Sequence, residues 1–165
     1  MQAMRFPRSH FGVAAYAGKL HAIGGYCGIS EIEHCEVYDP ITNRWKDMAD
    51  LNKARMNHGV TVHSERIFAI GGQSPNSILD SIEKYNAGLN MWLIIKHTLD
   101  PRSGAGVALI TAGNEDSTMY IVGGLDTSHI CHNSVKILDL NTIDYNITNS
   151  IGMLEPRAYG TVVTF

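Results

Sequence analysis

No run in this chain approaches the roughly 18 to 20 consecutive apolar residues that a bilayer-spanning helix needs, which excludes such a helix within it. Charge of one sign is also missing: 13 basic and 16 acidic side chains leave a net −3. Generic binding to nucleic acid or to a membrane surface draws on a basic excess, so neither partner is expected. Cysteine is scarce. Cys27, Cys35 and Cys131 cannot all pair with one another, which argues for reduced thiols and a cytoplasmic setting. The one glycosylation sequon, Asn146-Ile147-Thr148, is then idle. The N-terminal MQAMRFPRSH is basic but has no apolar core behind it, so it is not a secretory signal. Helical signals are lacking too, since no window holds a well-capped i, i+3, i+4 apolar stripe. What is present is an apolar share of 44%, enough for a globular core.

The chain repeats itself. A glycine doublet closes three apolar runs, LHAIGG, IFAIGG and MYIVGG, at Gly24-Gly25, Gly71-Gly72 and Gly123-Gly124. A spacing of 47 residues separates Gly24 from Gly71, Tyr38 from Tyr85, Trp45 from Trp92, Arg8 from Arg55 and Arg55 from Arg102. Arg102 to Arg157 is 55, and five of the extra residues enter before the third doublet, in the polar AGNEDS of residues 112–117, as a hairpin turn would. Within a unit the runs GVTVH, RIFAIGG, SIEKYN and MWLII are short, β-branched or aromatic, and bounded by turns such as DPITN and NAGLN. Four short strands repeated every 45 to 50 residues predict a β-propeller blade. The fold is therefore expected to be all-β: three four-stranded blades plus the first strand of a fourth. The units run over about 4–50, 51–98 and 99–153, with a further start over about 154–165, where YGTVVTF is strand-like.

In this combination the chain resembles kelch repeats. Unit one carries Pro7-Arg8, Gly24-Gly25, Val37-Tyr38-Asp39-Pro40, Trp45 and Met48; unit two carries Arg55, Gly71-Gly72, Tyr85-Asn86, Trp92 and Leu99. Unit three carries Pro101-Arg102, Gly123-Gly124 and Leu138-Asp139, with Tyr145 or Asn146 where a tryptophan is expected, and Pro156-Arg157 opens the fourth. Phrases such as EVYDPITNRW resemble the kelch-like group in particular. That resemblance implies a propeller that recruits substrates to a cullin-RING ubiquitin ligase through a BTB domain, which these residues do not contain. Kelch propellers also bind actin, and some are sugar-active or redox enzymes; the expectation here is a protein-binding module, not an enzyme. Three units and one strand fall short of the four to eight blades with which propellers close. The chain is accordingly expected to be part of a longer protein or to pair with a second copy in a six-bladed ring.

The doublets invite comparison with phosphate-binding loops, but such a loop opens a helix, whereas GGYCGIS and GGQSPNS run into loop and then strand. The structural reading is preferred for Gly24, Gly25, Gly71, Gly72, Gly123 and Gly124, because a glycine allows close backbone approach and a sharp exit from a strand. Tyr38, Trp45, Tyr85 and Trp92 are read as packing between blades. Arg8, Arg55, Arg102 and Arg157 open each unit, and two readings stand. In one, each ties its own loop to a nearby carbonyl or acid. In the other they form an arc able to hold an acidic segment of a protein partner. Divergent positions carry specificity on a constant frame: His10, Asn57, Gly104 and Tyr159, two residues after each arginine, and the loops after the doublets, with Tyr26, Gln73, Asn76 and Asp126 as candidate contacts. His34-Cys35 and His129-Ile130-Cys131-His132 lie a whole unit apart without zinc-site spacing, so no metal and no cofactor is expected. No nucleophile, base and acid can be grouped, and no catalytic residue is assigned.

Overall fold

Each repeated unit folds as an antiparallel meander whose alternating side chains point to the two faces of one sheet. The computed structural model describes residues 2–97, 100–112 and 116–162. The first sheet holds β1 (Gly12–Tyr16), β2 (Lys19–Ile23), β3 (Cys35–Asp39) and β4 (Arg44–Met48) in that order. The second begins with β5 (Gly59–His63) and β6 (Arg66–Ile70). A two-stranded hairpin follows, β7 (Gln73–Ser74) and β8 (Ser77–Ile78), before β9 (Ser81–Asn86) and β10 (Met91–His97) complete that sheet. The third holds β11 (Gly106–Ala112), β12 (Asp116–Val122), β13 (Val135–Asp139) and β14 (Ile147–Ser150). Strand β1 lies along β5, and β5 along β11, so the first strand of each sheet is the innermost. The β1–β2 turn has φ of 51° at Ala17 and 70° at Gly18, the left-handed pair that suits a two-residue hairpin.

The sheets pack face to face through two apolar clusters. Between the first and second sheets lie Ala14, Ile23, Cys35, Met48 and Leu51 against Ile67, Ala69, Tyr85 and Trp92. Between the second and third lie Phe68, Ile70 and Ile82 against Met119, Ile121 and Leu138. Near the inner strands the fit is closer still. A Cβ on Gly12 would lie 2.1 Å from Val60 Cγ2, one on Gly59 would lie 2.1 Å from Val107 Cγ2, and one on Gly106 would lie 2.4 Å from Val162 Cγ2. Each valine thus seats on the glycine of the sheet before it. Missing side chains set the distance between blades here.

The aromatic pairs recur, but of the four rings only Tyr85 and Trp92 join the cluster between described blades. Tyr38 and Trp45 have ring centroids 5.3 Å apart, as do Tyr85 and Trp92. Trp92 Nε1 donates to Ala49 O at 3.0 Å, stitching the second blade to the end of the first. Trp45 Nε1 makes the same bond to Gln2 O at 3.0 Å, so residues 2–8 dock on the first blade as residues 49–55 dock on the second. In the third blade Tyr145 takes the tryptophan's role. Its hydroxyl accepts from Lys84 Nζ at 2.7 Å and its ring lies 5.2 Å from that ammonium.

Three expectations change. The five-residue insertion is not confined to a turn: Ala112 and Ser117 pair with Asp116 and Thr111, so it lengthens β11 and β12 to 7 residues where β1 and β2 have 5. An antiparallel hairpin can absorb inserted residues as further cross-strand pairs, and this one does so. Residues 113–115, and Leu99 at the close of unit two, lie outside the described residues. The loop after Gly72 is also more ordered than its sequence suggests, because QSPNS closes as the β7–β8 hairpin. Of the strand-like YGTVVTF, residues 159–162 run beside β11 without strand pairing, and 163–165 lie outside the described residues.

Candidate recognition face

The link entering each blade brings its arginine inward, and the guanidinium turns into the blade. Arg8 donates to Gly24 O (2.9 Å), His34 O (2.6 Å) and Glu36 Oε2 (2.6 Å), and both ionic side chains are fully buried. Arg55 repeats the pattern with Gly71 O (2.8 Å), Ser81 O (3.3 Å), Ser81 Oγ (3.0 Å) and the carboxylate of Glu83, again with both ionic side chains fully buried. Burial pushes the Arg55 pKa below its ordinary value, while Glu83 acts in the opposite direction. Arg102 holds Gly123 O (2.9 Å) and Ser134 Oγ (2.7 Å). Lys136 stands where the other blades carry glutamate, and Asp100 supplies the acid, 2.5 Å from Lys136 Nζ and 3.6 Å from Arg102 Nη2.

The arginine arc is therefore corrected. Arg8, Arg55 and Arg102 are internal rivets that cannot reach an acidic partner, because their carbonyl and acid acceptors lie within their own blades. Of the four arginines, only Arg157 is exposed. Sequence reading overlooked the acceptors, although Glu36 and Glu83 also stand 47 residues apart. The valine-bearing glycines Gly12, Gly59 and Gly106 share that spacing and were equally legible.

The divergent positions do come together. Isolated bridges tie Ser9 to Tyr26, Met56 to Gln73 and Ser103 to Leu125, so each arginine link shares one end of its blade with a post-doublet loop. His10, Asn57, Gly104 and Tyr159 all have positive φ, at 55°, 53°, 65° and 58°. Their backbones run as a chain around the inner strands: Asn57 N donates to His10 O (3.0 Å), Gly104 N to Asn57 O (2.8 Å) and Tyr159 N to Gly104 O (2.7 Å). These bonds hold a left-handed conformation that asparagine and histidine adopt more readily than tyrosine does. A cavity of about 580 Å³ opens there, lined by His10, Asn57, His58, Gly104 and Tyr159. The Tyr159 ring, 60% exposed, lies over the Cα of Gly104. A second groove of about 290 Å³ separates the β7–β8 hairpin, with Gln73 and Asn76, from Thr127 and His129. The side chains of Asn57, Gln73 and Asn76 make no hydrogen bond to another described residue.

Two candidates serve the loops instead. Asp126 accepts from the backbone of Ser128 (2.8 Å) and Ile130 (3.0 Å) and pairs with His132 (2.9 Å); the Ile130 N–H first, and then His132, hold its carboxyl below the usual range. Tyr26 is half-buried, and its backbone joins Ser9 to Glu31. Cys35 is buried, its thiol pushed up to about 12 by desolvation, and so is inert. Among the described residues no group of three or more His, Cys, Asp or Glu could hold a metal ion.

His58, on the cavity floor, is buried with both ring nitrogens unpartnered. Burial, helped by the Arg55 charge, pushes its pKa down to about 3 from 6.5. Its contribution to stability is whole above pH 6.5 and declines as pH falls toward 3, because the unfolded chain binds the proton first. Between pH 7.5 and 5.0 the chain should lose about 2 kcal/mol through this group. Urea unfolding of the wild type and His58→Gln at both pH values checks it; equal losses in the two proteins would refute the assignment.

Four-stranded meanders stacked around shared inner strands define a β-propeller fragment. The kelch motif matches residues 7–52 and 54–93, over half of the chain, and the chain belongs to the kelch family. It is 36% identical over 55 residues to Kelch-like protein 41a of Danio rerio, covering 33% of this chain and 9% of that protein. It is 33% identical over 57 residues to an F-box/kelch-repeat protein of Arabidopsis thaliana, covering 33% of this chain and 15% of that protein. The solved structure of YjhT superposes with a TM-score of 0.77 at 15% identity, over 92% of this chain and 54% of that one. The chain is thus a kelch β-propeller module that spans only part of the length of the proteins it matches.

Proposed function

We propose that the chain recognises a protein partner through the end of the propeller bearing His10, Asn57, Gln73, Asn76 and Tyr159, and that it does so without catalysis. The observation that carries this reading is their placement around two depressions at the end of the blades where the Met56–Gln73 bridge lies, with amide and aromatic groups left unused. The loops there are rich in Ser, Asn, Tyr and Gly, side chains that supply adaptable hydrogen bonds and aromatic contact. With three arginines internal, the partner segment is polar and uncharged rather than acidic. In the setting of the kelch-like proteins, that partner is a substrate brought to a cullin-RING ligase through a BTB domain on the same polypeptide. The cytoplasmic location this implies is supported by three free thiols.

The test is proximity labelling and affinity capture to identify the partner, followed by titration with variants. Tyr159→Ala combined with Asn57→Ala should weaken binding about 30-fold or more, the size of a buried aromatic hot spot. Thermal stability should be retained, and affinity should hardly change with salt. Lys19→Ala, at the opposite end of the first blade, should bind as wild type. Equal binding by both variants removes this face from the reading. A partner set without cullin or ubiquitin-ligase subunits removes the adaptor role alone.

A further inference from the structure

The loops after the glycine doublets differ in sequence, yet one position in them meets the same surroundings. Three residues beyond the first glycine of each doublet stand Cys27, Ser74 and Asp126. Asp126 accepts from the N–H of Ser128 (2.8 Å) and of Ile130 (3.0 Å) and pairs with His132 (2.9 Å). Cys27 meets the backbone of Ser30 and then that of Ile29, which holds its thiol below the ordinary value. In both loops the backbone two residues ahead faces the side chain, so the turn favours negative charge there. The second blade puts a neutral hydroxyl in that seat. Ser74 Oγ donates to Ser77 O (3.0 Å) and lies 3.0 Å from Ser77 Oγ.

Ser74 is also the only serine or threonine that a proline follows, since the other prolines come after Phe6, Asp39, Asp100 and Glu155. Pro75 confines the residue before it to extended backbone and has no N–H of its own. The dipeptide lies at the tip of the β7–β8 hairpin, where Pro75, Asn76 and Ser77 are exposed. Each strand of that hairpin has 2 residues, and neither Pro75 nor Asn76 has a positive φ. The turn is therefore not the primed type whose twist suits a two-residue connection, and the hairpin opens at little cost. Across the groove of about 290 Å³ stand Thr127 and His129, both exposed.

We propose that Ser74 is a phosphorylation site for a proline-directed protein kinase, and that the loop seats the phosphate as the third blade seats Asp126. Ser74 Oγ attacks the γ-phosphorus of the kinase's nucleoside triphosphate, and the new O–P bond forms as the bond to the β-phosphate oxygen breaks. The nucleoside diphosphate leaves, and the hydroxyl proton passes to the kinase's base. The hairpin loses the hydroxyl bond to Ser77. In exchange, the backbone at Asn76 and the imidazole of His129 receive a group carrying about −1.5 to −2 charges. Gln73 and Asn76 belong to the same hairpin, so the phosphate makes an uncharged rim anionic and releases an uncharged partner segment. That consequence rests on the binding reading above; the site itself does not.

Labelling and titration test the site without the partner. The 165-residue chain, incubated with ATP and a purified proline-directed kinase, should take up one phosphate, mapped by mass spectrometry to Ser74. Ser74→Ala should take up none, and Pro75→Ala should lose the uptake while its circular dichroism is unchanged. The phosphorus-31 resonance of the phosphorylated chain should titrate at lower pH than that of a phosphorylated peptide spanning 70–80, because the seat favours the dianion. His129→Ala should move that titration part of the way back. A folded chain left unlabelled overturns the site, whether or not the peptide is labelled. Equal titration of labelled chain and peptide overturns the seat. A phosphorylated chain that captures the same partner as the unmodified one overturns the release alone.

Discussion

Arg55→Ala is expected to lower the unfolding free energy by about 3–5 kcal/mol, the loss typical of a broken buried ion pair. The cost comes mainly from what remains. Glu83, fully buried, keeps the Asn52 backbone and amide donors at 2.8 Å but loses the charge that neutralised it. Gly71 O and Ser81 O lose their guanidinium donor as well. Arg102→Ala should cost roughly 1–2 kcal/mol, because its acid, Asp100, is 46% exposed and sits 3.6 Å away. The combined Arg55→Met and Glu83→Gln substitutions should cost less than the two changes summed, since neither leaves the other's charge stranded. Urea unfolding of these variants, singly and combined, measures all of this. Equal losses for Arg55→Ala and Arg102→Ala would show that the buried charge is not what matters.

That contrast marks how far the sequence could be read. Period and strand character are one-dimensional, and the 47-residue recurrence of glycine doublets, tyrosines and tryptophans carries the blade architecture without a structure. The direction of a long side chain is not one-dimensional. Arg8, Arg55 and Arg102 look alike whether they face a partner or a carbonyl, and only Glu36 and Glu83 at matching offsets tell the two apart. Rim conformation is hidden for a different reason. The left-handed backbone at His10, Asn57 and Tyr159 is held by bonds between blades, at Tyr159 against the residue's own preference, so local sequence cannot announce it. The candidate face was legible as a set of divergent positions; the inward turn of Arg8, Arg55 and Arg102 was not.

The doublets supply the second large effect. Gly71→Val should cost about 3 kcal/mol or more, the sum of two separable penalties. Gly71 has φ of +59°, a left-handed conformation that costs an L-residue roughly 1–2 kcal/mol and suits a β-branched one least. A Cβ there would also lie 2.5 Å from Arg102 O, the carbonyl that Gly72 N binds at 2.7 Å. That carbonyl belongs to the next blade and cannot rotate away without opening the seam, so overpacking adds about 1–3 kcal/mol. Gly18 isolates the first penalty, with φ of +70° and no atom within 4 Å of where a Cβ would stand. Gly18→Val should therefore lose only the conformational part. If thermal unfolding gives the two valine variants the same midpoint, the approach of the neighbouring blade is not what demands glycine in the doublet. If Gly71→Val falls well below Gly18→Val, the doublet is the joint between blades, and the phosphate-loop likeness of IFAIGG comes from a shared need for backbone access.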